Sequence, residues 1–73
     1  MNLRIRDLRE DHDKTQADLA EYLGCSQQTY SQYENGKVQP TPETLEKLAL
    51  YFGTSVDYLL GLTDDPRPYP RKR

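Results

Sequence analysis

Residues 15–37 read TQADLAEYLGCSQQTYSQYENGK, and the way this stretch folds decides the architecture of the chain. Thr15 has the residue type that caps a helix, and Asp18 stands three positions on, the spacing of a capping box. Leu19, Ala20 and Leu23 then share one helical face, and Gly24 offers the left-handed conformation that ends a helix. Ser26 can cap a second helix with Tyr30 and Tyr33 on one face, closed by Asn35-Gly36. Counted from Gln16 to Asn35, Ala20 falls fifth, where a larger side chain would keep two helices apart, and Gly24 falls ninth, at the turn. Leu19, Leu23, Cys25, Tyr30 and Tyr33 fall where apolar groups must fill the space between the helices. Two helices on so short a link make a helix-turn-helix, which sets its second helix at a steep angle.

Working outward, Leu3, Ile5 and Leu8 form a narrow apolar stripe in LRIRDLRED, with His12, expected in solvent, just beyond. On the other side, VQPTPE reads as a loop. Thr41-Pro42 starts a fourth helix, with proline at the first position where its missing N–H costs nothing. Leu45, Leu48, Ala49 and Phe52 make its apolar stripe, and Gly53 stops it. Ser55 caps a short fifth helix, SVDYLL, whose Val56, Leu59 and Leu60 face inward before Gly61. No segment alternates with period two, so no sheet is expected. The predicted fold is all-α, a compact bundle of five short helices over residues 1–62. Residues 63–73, with Pro66, Pro68 and Pro70 and no apolar periodicity, are expected to be an extended, flexible, basic tail.

The chain has 73 residues, 34% hydrophobic and 30% charged, which suits one small soluble domain. No apolar run approaches the ~20 residues that span a bilayer, and the charged start MNLRIRDLRED is not a signal peptide. One cysteine (Cys25) and one histidine cannot build a structural zinc site or an intrachain disulfide, so no metal and no cofactor are expected, and a reducing cytoplasm is the expected location. No nucleophile motif, glycine-rich phosphate loop or metal cluster appears, so the chain is not expected to be an enzyme. Net charge is −2, but Arg67, Arg71, Lys72 and Arg73 lie in the acid-free stretch 67–73, which leaves 6 basic against 12 acidic residues before it. An acidic body is an obstacle to any nucleic-acid reading.

TQADLAEYLG, SQQTYSQYENG, PTPETLEKLA and SVDYLLG, in that order, resemble the lambdoid phage repressor and Cro-type helix-turn-helix family, the xenobiotic-response-element-like bacterial regulators. The resemblance covers about residues 3–62. It implies a lambda-repressor-like DNA-binding domain and sequence-specific binding to double-stranded DNA. It further implies a bacterial or phage transcription regulator, expected to be a repressor because no activation domain is attached, with residues 26–35 as the recognition helix in the major groove.

Gln27, Gln28 and Gln32 lie in the first turns of that helix and on nearly one face. Either they form a solvated polar face, since glutamine is a good helix former, or they read bases, since a glutamine amide pairs bidentately with adenine. The family's readers place a similar glutamine pair and a third glutamine one turn later, which implies base contacts from Gln27, Gln28 and Gln32, with Ser31 in support. The resemblance implies a phosphate contact from Gln16 at the amino end of its helix, and phosphate contacts from Thr15, Ser26, Thr29, Asn35 and Lys37. Glu34 looks wrong on a DNA face. The family pairs it with an arginine of the first helix, and Arg9 holds that position, so Arg9 and Glu34 are expected to form a structural ion pair. Tyr30 departs from the branched aliphatic usual there, and its hydroxyl needs a partner or solvent.

Of the basic residues of the body, Lys14 and Lys37, with Lys47 or Arg6, could lie near DNA. Monomer binding is therefore expected to be weak, and a homodimer on a near-palindromic operator is expected, with recognition helices about 34 Å apart. By family analogy the dimer would use Tyr51, Tyr58 and Leu62. The alternative is an antitoxin or adaptor on the same fold, a module whose acidic surface meets a protein partner.

Overall fold

The computed structural model of the chain describes residues 3–68. It contains α1 (Ile5–Asp11), α2 (Gln16–Leu23), α3 (Gln27–Glu34), α4 (Pro42–Phe52) and α5 (Val56–Leu59), with no strand among the described residues. The all-α expectation is borne out, and α2 and α3 pack most extensively on each other.

Local chemistry starts and stops these helices much as the residue types demand. Thr15 Oγ1 accepts from the Asp18 N–H at 3.1 Å while Asp18 Oδ2 accepts from the Thr15 N–H at 2.9 Å, a complete capping box. Those bonds to the ionised form hold the Asp18 carboxyl below its ordinary pKa. Ser26, Thr41 and Ser55 cap α3, α4 and α5 in the same way, each accepting a backbone N–H three residues on. At the far end of α2, Gly24 sits at φ +73° and the N–H of Cys25 reaches back to the Ala20 carbonyl at 3.0 Å. That backbone reversal turns the chain directly into α3.

The first helix departs from this pattern at both ends. Its start has no side-chain cap: Arg4 occupies the position, and its N–H donates to the Leu59 carbonyl at 3.1 Å instead. Its end uses the same reversal as α2, with Lys14 N–H on the Arg9 carbonyl at 3.0 Å, but Asp13 rather than glycine takes the positive φ of 55°. A short polar side chain tolerates that region better than most, yet still at a cost.

Ile5, Leu19, Tyr30, Leu48 and Leu59 are fully buried, joined by Leu3, Ala20, Leu45, Ala49 and Phe52. Each helix is too short to persist alone, so it is this shared core that stabilises them. Leu8, Leu23, Cys25, Tyr33, Val56 and Leu60 pack at its edge. Tyr51 lies between Tyr22 and Phe52, with ring centroids 4.6 and 5.2 Å away. His12 is exposed; its Nδ1 donates to the Leu8 carbonyl at 2.8 Å and its ring meets Phe52 edge-on.

Of the stretch 63–73 expected to be flexible, residues 69–73 lie outside the described residues. Its first residues are held: the Arg4 guanidinium donates to the Thr63 carbonyl at 3.2 Å and to Asp64 Oδ1 at 2.9 Å, and stacks 4.4 Å over the Tyr58 ring. Both ends of the helical body therefore meet at one arginine, a contact the sequence reading did not anticipate. Among the described residues no helix is long and apolar enough to cross a membrane, and no group of three or more His, Cys, Asp or Glu could hold a metal ion.

Candidate nucleic-acid interface

The second helix of the pair is held from within by groups that do not belong to ordinary cores. Tyr30 is fully buried, and Glu34 one turn later is also buried. Arg9, reaching across from α1, donates from Nε to Glu34 Oε2 at 2.7 Å and from Nη2 to Glu34 Oε1 at 3.2 Å. Its remaining nitrogen, Nη1, donates to the Lys14 carbonyl at 3.0 Å, so one guanidinium ties the end of α1 to the end of α3. The side chains are 13% and 2% exposed, so the pair is largely out of water.

Gln16, at the first position of α2, closes the group: its Nε2 donates to Glu34 Oε1 at 3.1 Å. Burial by itself raises the Glu34 pKa, but the bonds from Arg9, then the nearby Tyr30 hydroxyl and the Gln16 amide, outweigh it and hold the carboxyl below its ordinary 4.5. The Tyr30 hydroxyl makes no hydrogen bond of good geometry, yet lies near enough to Glu34 and Arg9 for both to bias its ionisation. Burial first, and the adjacent carboxylate second, push its pKa far above the usual tyrosine value.

With Tyr30 and Glu34 turned inward, the opposite side of α3 faces out. Gln27, Gln28, Ser31 and Gln32 of α3, Gln16 of α2, and Asn35 and Lys37 beyond α3 line one open concavity of about 400 Å³. It draws on the amino end of α2, the outward side of α3 and the turn that follows it. Gln27 and Gln28 are exposed, and Gln32 and Ser31 half-buried. The amide groups both donate and accept, which suits a surface presenting hydrogen-bonding edges in a fixed pattern.

Thr15, Ser26 and Thr29 stand apart from that concavity. Thr15 Oγ1 is engaged in the capping box, and the Ser26 hydroxyl accepts from the Thr29 N–H at 3.1 Å while donating to Thr29 Oγ1 at 2.9 Å. The Thr15 and Ser26 oxygens thus accept at helix starts, while Thr15 and Thr29, acceptors only in these bonds, keep an O–H able to donate. Lys37 is exposed beyond α3, where the Gly36 turn returns its N–H to the Gln32 carbonyl at 3.0 Å. The backbone after the helix is set by that bond, so Asn35 and Lys37 are presented from a fixed turn.

The contact from Gln16 to Glu34 was not foreseen, and no local spacing could have revealed it, because the partners are 18 residues apart on different helices. A second groove lined by Leu3, Arg6, Asp7, Glu34 and Asn35 lies on the α1 side of the same buried carboxylate.

Comparison with known proteins agrees with this geometry. A family profile described as Helix-turn-helix matches residues 5–59. The chain is 45% identical over 65 residues to the HTH-type transcriptional regulator YobD of Bacillus subtilis, covering 89% of this chain and 58% of that protein. It is 40% identical over 58 residues to the cryptic phage CTXphi transcriptional repressor RstR of Vibrio cholerae, covering 80% and 52%. It is also 35% identical over 65 residues to the HTH-type transcriptional regulator MJ0272 of Methanocaldococcus jannaschii, covering 89% and 98%. The chain thus spans little more than half the length of the Bacillus and Vibrio relatives. The match reaches from α1 through α5 and takes in the whole α2–turn–α3 unit, and by it this chain belongs to the helix-turn-helix family of the xenobiotic-response-element-like regulators.

Proposed function

We propose that this chain is a sequence-specific double-stranded DNA-binding domain of a transcription regulator, with α3 lying in the major groove. The observation that carries this reading is the outward glutamine set: Gln27, Gln28 and Gln32 share one concavity with Ser31, Asn35 and Lys37, while the inward side of α3 is occupied by Tyr30 and Glu34. Gln27, Gln28 and Gln32 read base edges, supported by Ser31. Gln16, Asn35 and Lys37 hold phosphates and so set the register of α3 on the duplex. Thr15 and Thr29, whose hydroxyls keep a donor, and Ser26, the cap of α3, add phosphate contacts beside them.

Repression is the direction of regulation favoured, because RstR is named as a repressor and a domain lying across an operator needs no further surface to exclude other proteins from it. The acidic body limits the number of phosphates neutralised, so the monomer binds weakly and with a shallow salt dependence. A homodimer reading two half-sites one helical turn apart supplies the missing affinity. Leu62, 71% exposed, with the half-buried Tyr51 and Tyr58, offers the apolar surface for it.

Selection from random duplexes at low salt, read by gel shift, is expected to return a two-fold symmetric motif. Gln28→Ala is expected to relax one base position in each half-site at about 1–3 kcal/mol. Enrichment of no duplex would sink the reading. Capture of a single protein at high salt without DNA would turn it toward an adaptor or antitoxin.

A further inference from the structure

Glu34 is buried, carries a charge and faces away from the solvent-exposed amides, so the simplest role for it is to lock α1 onto α3 through Arg9. One of its contacts does not fit that role alone. Oε1 accepts from Gln16 at 3.1 Å as well as from Arg9 Nη2 at 3.2 Å, and Gln16 belongs to neither of the helices the ion pair joins. Gln16 is also the one residue of α2 that lines the concavity with the α3 glutamines. We propose that Glu34 is a positioning residue for DNA binding, holding the Gln16 amide in place for its phosphate contact; this rests on the DNA-binding reading above.

The chemistry of the two groups explains how. An ionised carboxylate only accepts hydrogen bonds, so Gln16 must turn its NH2 and not its carbonyl toward Glu34. That choice fixes the amide plane. It occupies one N–H and leaves the second for a phosphate oxygen at the amino end of α2, where the helix already favours an anion. A glutamine side chain free in water samples many rotamers and loses them on binding. Restrained beforehand, it brings a smaller ordering loss to the complex. The same carboxylate would repel a phosphate if it stood bare behind the amide, and the two bonds from Arg9 neutralise it. Arg9 and Glu34 therefore act on DNA through Gln16, with no contact of their own.

The test is a double-mutant cycle on the full chain with the duplex obtained by selection, titrated by fluorescence anisotropy at one salt concentration. Glu34→Asp keeps a charge for Arg9 but withdraws the oxygen from Gln16. Gln16→Ala and Glu34→Asp are each expected to weaken binding about 3- to 10-fold, the worth of one hydrogen bond. The double variant is expected to bind no worse than Gln16→Ala alone, because Glu34 acts on DNA only through the amide that this substitution removes. In the free protein the Gln16 side-chain N–H bonded to Glu34 should be shifted from the values of a free glutamine amide, and in Glu34→Asp it should return to them, with the backbone resonances of α2 and α3 in place. Should Glu34→Asp fail to fold, Arg9→Met combined with Glu34→Met takes its place in the cycle. Losses that multiply, or Gln16→Ala binding as tightly as wild type, would overturn the proposal while leaving wild-type binding and the Gln28→Ala loss intact. A wild-type chain that binds no duplex would overturn the DNA-binding reading, and this proposal with it.

Discussion

Changing Arg9 to Met at pH 7 is expected to destabilise the domain by about 3–5 kcal/mol, the usual cost of stranding one partner of a buried pair. The structure supports the upper part of that range. Two parallel bonds of 2.7 and 3.2 Å are lost together with the Nη1 bond that closes the α1 turn, and the Glu34 side chain left behind is 2% exposed. The Arg9 side chain, at 13% exposed, keeps some contact with water, which tempers the attraction given up. At ~0.05–0.15 kcal/mol per residue a chain of this length has only ~4–11 kcal/mol in total, so the loss is a large fraction of the stability and should be plain in the urea midpoint.

The pH dependence gives the experiment its sign. In the wild type the folded pKa of Glu34 lies below 4.5, so its contribution is fully present above that value and is lost as pH falls through the depressed one. Burial is the largest influence on Glu34 and Arg9 the largest opposing one, so Arg9→Met is expected to move the folded pKa up past its ordinary value. A folded state that holds its proton more tightly than the unfolded chain gains stability as pH falls, so the gap between variant and wild type should shrink from pH 7 to pH 4. Arg9→Met with Glu34→Met should recover most of the loss, because no charge is then stranded. Urea unfolding followed by circular dichroism at both pH values measures all three differences. A loss under ~1 kcal/mol for Arg9→Met, or a gap that does not change with pH, would refute the claim that this pair is shielded from water.

Other outcomes follow from single positions. Gly24→Ala should cost about 1–2 kcal/mol from the left-handed backbone alone, since its added Cβ would meet nothing within 4 Å. Asp13→Gly, at the equivalent turn after α1, should go the other way by about 0.5–1 kcal/mol, and thermal melts of the two variants compare them directly. Tyr30→Phe should change stability by less than about 1 kcal/mol, because the buried hydroxyl makes no well-aligned bond; a loss above ~2 kcal/mol in urea unfolding would show that Glu34 holds it. Lys37→Ala should weaken DNA binding about equally on all duplexes and lower the salt slope by about 1, whereas a loss confined to the preferred site would make it a base reader.

How much of this was legible in the sequence depended on the range of the interaction. Thr15, Ser26, Thr41 and Ser55 announced helix starts because a cap and its N–H partner are three residues apart. Gly24 announced the turn because backbone strain is a property of one residue. Tyr30 and Tyr33 pointed to the core through spacing alone, and Tyr30 is there, but its hydroxyl's surroundings are set by α1 and could not be read from α3. Asp13 carried no turn signal, since aspartate is common in loops and helices alike, and only the backbone reveals its positive φ.

The sequence by itself therefore determined the five helices, the α2–turn–α3 register and the glutamine-rich side of α3, all consequences of hydrogen bonds and periodicities that act within a turn or two. The tertiary structure alone decided which of the polar residues share a surface. It gathered Gln16 with Gln27, Gln28 and Gln32, left Thr15 and Ser26 at their caps with Thr29 bonded to Ser26, and set Arg4 across Tyr58, Thr63 and Asp64. It also placed one buried carboxylate between three helices, where Arg9 neutralises it and Gln16 is held by it. Such contacts span from 18 to 60 residues of chain. They exist only once the apolar core has brought the helices together, because no local energy term favours them beforehand.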